Sequence, residues 1–201
     1  MKLRLISKYY SKKILANKNK SISVDWKNRS SQYVRFFYLS KIIKKKNFTL
    51  TDLGCGDAEF IKFLKKKKFF FKKYIGLDVS KEMILEAKKK YKFKKVRFFN
   101  SSKINLKTDY IISSGIFNVK LSNKKIDFYK YVIKTIKMMN KYSKVGFAFN
   151  ALSFFHDKQY SKKKLYYVDP GKILNFCIQR FSNVRLYHNY KLYDFTVIIE
   201  K

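Results

Sequence analysis

The sequence has no run of about 18 or more apolar residues, the length a helix needs to cross a bilayer. Its longest charge-free candidate, 145–155, is 11 residues and carries Asn150. No membrane-spanning helix is expected. The basic N-terminus lacks a long apolar core and a small-residue cleavage site, so it does not read as a secretory signal. Only two cysteines occur, Cys55 and Cys177. They make no disulfide framework, and a reducing cytoplasm is the expected compartment. Acids are scarce, 13 against 48 basic residues, for a net charge of +35. Arginine, the usual residue for clamping phosphates and reading bases, supplies only 6 of the 48. The lysines run through every predicted helix rather than one patch. Proline, glycine and alanine are sparse, while Phe, Tyr, Asn, Ile and Lys abound. The favoured residues share A/T-rich codons, so the charge is read first as genome bias. An RNA partner is the alternative reading, because a basic pI is the electrostatic footprint of nucleic-acid binding. The 201 residues suffice for one domain with a full core, and no repeat or linker divides them.

What is present centres on residues 50–78. A short apolar run ends in Asp52-Leu53-Gly54-Cys55-Gly56-Asp57-Ala58. A basic segment with apolar residues at helical spacing follows, then Tyr74-Ile75-Gly76-Leu77-Asp78. That is a strand, a tight turn, a helix and a parallel strand ending on an acid, the unit that builds nucleotide sites. Glycines let the turn bend sharply and approach a ligand closely. A terminal acid can accept two hydrogen bonds from a ribose diol.

These strings resemble the first and second motifs of class I S-adenosylmethionine-dependent methyltransferases. The resemblance covers roughly residues 22–200. It implies a doubly wound α/β fold: a mostly parallel, seven-stranded Rossmann-like sheet with an antiparallel edge strand. It implies S-adenosylmethionine as cofactor, its methionine part wrapped by Asp52, Gly54, Cys55 and Gly56 and its ribose held by Asp78 beside Val79. The third glycine of the family pattern is Ala58 here. A dehydrogenase is the competing reading, but its fingerprint needs glycine at 59, where this chain has Glu59. Asp57 and Glu59 also suit a cationic sulfonium better than a pyrophosphate.

Residues 1–45 read as a helical cap or lid, and 46–201 as the methyltransferase domain. Leu3, Ile6, Tyr10 and Ile14 fall near helical spacing. Trp26, in Val24-Asp25-Trp26, is a candidate substrate lid or a staple for the next helix. That helix is expected over 32–43 with Val34, Phe37, Tyr38 and Ile42 on one side. Ser80 is an expected N-cap. After the third strand the family often carries an acid that binds adenine; here Ser101 and Ser102 stand there. The fourth strand runs into Ser114-Gly115-Ile116-Phe117-Asn118-Val119-Lys120, a string resembling a bacterial subgroup of the family. Ser114 joins the expected cofactor set. Phe117, Asn118, Lys120 and Asn150 are the candidate substrate contacts, with Asn150 ending strand five at the pocket rim. The loop 153–169 carries His156, Tyr166 and Tyr167 and is expected to touch substrate. Asp169-Pro170 reads as a helix start.

Methyl transfer from a sulfonium is an in-line displacement with an activated leaving group. It needs proximity and alignment more than acid–base work. No catalytic residue is obligatory; Asn118, Lys120 and His156 are the candidates. The single proline rules out the Pro-Pro string of adenine-amino methyltransferases. Neither cysteine stands where a cytosine-C5 enzyme needs its nucleophile. No acid lies between Asp109 and Asp127 to build a catechol-type metal site, and no metal is expected. The expected acceptor is therefore a small molecule or a saccharide-like precursor; the rivals are an RNA methyltransferase and a non-catalytic binding protein of the same fold.

Overall fold

The computed structural model describes residues 1–16, 29–157, 159, 161–188 and 190–201. Trp26 lies outside the described residues. Helices α1 (Leu3–Ala16) and α2 (Arg29–Ser40) precede the sheet. Then β1 (Phe48–Leu53), α3 (Glu59–Lys66), β2 (Phe71–Asp78), α4 (Lys81–Lys90), β3 (Val96–Asn100) and β4 (Thr108–Ser113) follow. The chain continues through α5 (Lys125–Tyr142), β5 (Ser143–Ser153), β6 (Tyr167–Val168), α6 (Pro170–Ile178), β7 (Asn183–His188) and β8 (Asp194–Glu200).

The strand order is β3-β2-β1-β4-β5-β8-β7. The first five are parallel, and β8 runs antiparallel to both β5 and β7. The order reverses between β1 and β4. A crevice forms at such a reversal, outside the carboxyl ends of the strands. The expected seven-strand path is present, with two differences of detail. The antiparallel strand sits one place in from the edge, which belongs to β7. Two-residue β6 adds an eighth strand by pairing with Leu152 and Ser153.

Both sheet faces are covered, so β1 and β4 are buried along almost their whole length, polar residues included. On one face Phe36, Leu39, Phe60 and Phe63 of α2 and α3 pack with Leu50 and Tyr110. On the other, Val132, Ile136 and Met139 of α5 and Ile173 of α6 pack with Ile111 and Phe147. The apolar residues at helical spacing, Phe60, Phe63 and Leu64 in α3 and Phe128, Val132, Ile136 and Met139 in α5, are the buried ones. Ser80 caps α4, its hydroxyl accepting from Met83 N at 3.2 Å. Asp169 caps α6 by accepting from Gly171 N at 2.8 Å, with Pro170 at the first helical position.

Helix α2 corrects the expectation. Its buried face is Ser31, Gln32, Arg35, Phe36 and Leu39, whereas Phe37 is 44% exposed. A hydrophobic reading turns Phe37 inward because it counts Arg35 as an outward residue. Arg35 instead points in and forms a buried, two-pronged ion pair with Asp194 at the start of β8. Strand β5 also runs three residues past Asn150, because Asn150, Ala151 and Leu152 pair with Thr196, Phe195 and Asp194.

Candidate active site

A cavity of about 1270 Å³ opens at the carboxyl ends of the strands around the β1–β4 reversal. Its floor is the turn after β1. Gly54 N and Cys55 N donate to Leu77 O at 2.7 and 3.0 Å, which pins the turn to β2. Gly54 has φ +79°, and a Cβ there would lie 2.1 Å from Ile116 Cγ2. Glycine is thus required twice, by backbone conformation and by the close approach of the β4 loop. Ala58 holds a left-handed backbone (φ 64°) just before α3, fully buried. The turn the family makes with a third glycine survives with alanine at some conformational cost.

Asp78 closes β2. Its two oxygens accept from Gly56 N at 2.9 Å and Ser80 N at 2.8 Å, which fixes the carboxylate plane across the turn. Burial nevertheless raises its pKa, the backbone donors opposing the rise. Asp52 is buried behind it and accepts from the Tyr74 hydroxyl. Burial pushes Asp52 up to about 7, against the Tyr74 hydrogen bond and helped by the charge of Asp78. Cys55 is buried, and burial followed by the neighbouring acids raises its thiol well above the ordinary value, so it stays neutral. Its side chain fits because Gly76 on β2 has none: a Cβ there would meet Cys55 Sγ at 2.8 Å.

Helix α1 roofs one side. Ser7 Oγ donates to Val79 O at 2.8 Å, and Ser11 Oγ lies 3.0 Å from Ser80 Oγ and bonds Glu82. Leu3, Ile6 and Tyr10 of α1 line the cavity. All nine residues expected at the cofactor line it as well: Asp52, Gly54, Cys55, Gly56, Asp78, Val79, Ser101, Ser102 and Ser114. They come from the ends of β1, β2, β3 and β4. The Ser101 hydroxyl is engaged in a local turn with Lys103 N at 3.0 Å. Ser114 Oγ is buried without a hydrogen-bond partner among the described residues.

The expected acceptor-side residues divide. Asn118 lines the cavity and accepts from Leu152 N at 3.2 Å, tying the β4 loop to the end of β5. Phe117 is fully buried away from the cavity, edge-on to Phe149 at 5.5 Å; its neighbour Ile116 faces the cavity instead. Asn150 is fully buried within β5 and accepts from Gly115 N at 2.8 Å, so it positions the loop from behind rather than from the rim. Its Nδ2 has no partner among the described residues. Lys120 turns its Nζ onto Leu121 O at 3.1 Å, outside the lining. His156 is stacked on Tyr167 at 3.9 Å, with Nε2 2.6 Å from Ser161 Oγ and Nδ1 2.9 Å from Ser153 O. Both ring nitrogens are engaged, and the ring is not part of the lining.

The lining also contains residues that the sequence pattern does not single out: Tyr131, Lys162, Leu165, Lys191 and Tyr193. Tyr131 sits in the apolar stripe of α5 and reads there as core. Burial pushes its phenol up to about 12, further from ionisation than an ordinary tyrosine. Lys162 and Lys191 are two lysines among many in the sequence, with no local signal to separate them. Gln32 and Arg35 also border the cavity, which explains the polar inner face of α2.

The glycine turn, the acid ending β2 and the strand order now meet in one place. A family model described as a methyltransferase domain matches residues 44–167. The chain belongs to that methyltransferase domain family. It is 35% identical over 156 residues to a methyltransferase candidate, Rv1506c, of Mycobacterium tuberculosis, a match covering 77% of this chain and 93% of that protein. Magnesium protoporphyrin IX methyltransferase from Synechocystis PCC 6803, solved with bound SAH, shares the fold at a TM-score of 0.65. That match has 9% identity and covers 98% of this chain and 99% of the other. An S-adenosylmethionine dependent methyltransferase from Mesorhizobium loti matches at a TM-score of 0.62 and 14% identity, over 84% of this chain and 98% of that one. At these identities the likeness is one of fold. Among the described residues no group of His, Cys, Asp and Glu could hold a metal, and no helix is long and apolar enough to cross a membrane.

Proposed function

We propose that this methyltransferase binds S-adenosylmethionine on the turn after β1 and transfers its methyl group to a small-molecule or saccharide-like acceptor in the outer part of the same cavity. The observation that carries the reading is Asp78. Its carboxylate is fixed by Gly56 N and Ser80 N, and its remaining lone pairs can take a ribose diol. The surroundings fit the cofactor chemically. Asp52 supplies an acid on the side of the methionine part, Gly54 and Gly56 expose backbone, and Ser102 offers a hydroxyl to the base. Bound there, the cofactor supplies an activated methyl group.

The chain's own work is positioning and exclusion of water. Residues 1–45 act in this reading as a cap, with α1 fastened to the β2–α4 loop by Ser7 and Ser11. Asn118 and Tyr131 present polar groups toward the space between cofactor and acceptor. Ligand pockets commonly span about 300–1,000 Å³. The cavity of about 1270 Å³ exceeds that range, which favours a cofactor and a small acceptor enclosed together over a macromolecule laid across the surface.

Calorimetric titration of S-adenosylmethionine and S-adenosylhomocysteine into the purified protein tests this. Micromolar binding, on the order of −8 kcal/mol, is expected for the wild type and a loss of at least tenfold for Asp78→Ala. A correctly folded wild type that binds neither compound sinks the enzyme reading.

A further inference from the structure

The far end of the cavity carries cations that no acid in it neutralises, and this bears on the acceptor; the argument rests on the reading of the cavity as a joint cofactor and acceptor site. The acids at the motif end are Asp52, Asp57, Glu59 and Asp78. Asp57 is paired with Lys90, and Glu59 with Arg29. Asp52 and Asp78 are the two left without an ionic partner among the described residues. At the far end Asp194 is held by Arg35, so that pair adds no net charge. What remains there is cationic. Lys162 comes from the loop between β5 and β6, and Lys191 from the turn between β7 and β8. Neither forms an ion pair among the described residues.

Leu152, Leu165, Leu192 and the ring of Tyr193 give that end an apolar portion, and the side chains of Gln159 and Ser161 beside it are engaged by Asp157 and His156. The pairing of Leu152 with Asp194 places the β7–β8 turn at the carboxyl end of β5. Strands β1 and β8 lie three places apart in the sheet, roughly 14 Å at 4.7–4.9 Å per strand. The cationic end is therefore about one small molecule's length from the acids on β1 and β2.

We infer that the acceptor is an anion carried on an apolar body. A carboxylate or phosphate sits against Lys162 and Lys191, and an aryl or alkyl portion lies on Leu165, Leu192 and Tyr193. The charged group is a handle for orientation. The atom that takes the methyl lies between the handle and the acid pole, where a sulfonium would be held.

Displacement of 8-anilinonaphthalene-1-sulfonate from protein saturated with S-adenosylhomocysteine tests the inference. Benzoate and phenyl phosphate are expected to displace the probe at concentrations at least tenfold lower than benzamide, the neutral counterpart of benzoate; the more effective of the two identifies the anion preferred. The double variant Lys162→Glu, Lys191→Glu should erase the difference while S-adenosylhomocysteine affinity stays within twofold by calorimetry. Lys134→Glu, Lys137→Glu, on the exposed side of α5, makes the same change in net charge and should keep the preference. Equal displacement by benzamide overturns the inference, as does an equal loss in the α5 variant, which would assign the effect to overall charge. A wild type that binds no S-adenosylhomocysteine removes the cofactor reading and this inference with it; intact cofactor binding without anion preference removes the inference alone.

Discussion

The two ends of the cavity are built differently. The heart of the motif end is a continuous stretch of 27 residues, Asp52 to Asp78, the ends of two adjacent strands with the turn and helix α3 between them. The outer end gathers Gln32, Lys162 and Lys191 from three segments far apart in the chain. A local site announces itself in sequence because turn chemistry, glycine and strand ends must follow one another in order. A dispersed site has no such constraint, since any residue type can be delivered to its place by the fold.

Substitutions can break or sharpen that contrast. The largest effect on folding is expected from Arg35→Ala. It removes one partner of a buried ion pair and leaves the Asp194 charge uncompensated, at a cost of about 3–5 kcal/mol. Denaturant unfolding measures it. Because the pair joins α2 to β8, a loss under about 1 kcal/mol would mean that the outer end does not depend on this link.

Next comes the pH dependence of Asp52. Burial raises its pKa from 3.8 to about 7, so the folded chain binds this proton more tightly than the unfolded chain. The resulting stability is complete below pH 3.8 and is lost as pH rises through about 7. It amounts to as much as about 4 kcal/mol at about 1.4 kcal/mol per unit. Asp52→Asn should flatten the curve of unfolding free energy over this window. An unchanged slope would locate the titrating group elsewhere.

Gly54→Ala should cost about 2 kcal/mol, from its left-handed backbone and the encounter with Ile116, and should weaken S-adenosylhomocysteine at least tenfold. A stability loss with normal cofactor affinity would make the turn structural rather than a binding element. The smallest effect is expected at His156. His156→Ala removes its stack on Tyr167, about 1 kcal/mol, and should leave cofactor affinity unchanged within twofold. A large fall in affinity would return this ring to the site.

Legibility follows the same division. The glycine turn, Asp78, the cap at Ser80 and the stripe of α5 are all visible in sequence, because each depends on neighbours a few residues away. The inner face of α2 is not, because Arg35 is turned inward by Asp194, 159 residues later. The placement of Asn150 fails for a similar reason. The strand passes the asparagine because β8 offers partners beyond it, so a residue expected at the rim lies in the sheet. Phe117 and Asn118 are adjacent in one distinctive string, yet Phe117 faces the core and Asn118 the cavity. Residue type alone does not decide between those directions. For His156, a stack and two polar contacts within its own loop decide its direction.

The sequence by itself determined the strand–turn–helix–strand unit and the acid that ends it. Those features come from local backbone requirements: left-handed φ at glycine, apolar runs for strands buried on both faces, and hydroxyl or carboxylate caps. Only the tertiary structure decided which of 48 basic residues face the cavity, which acids are neutralised by them, and which of the polar strand-end residues reach the ligand space. Those outcomes depend on charges and side chains that meet across 30 to 159 residues of chain, and a local pattern carries no record of such meetings.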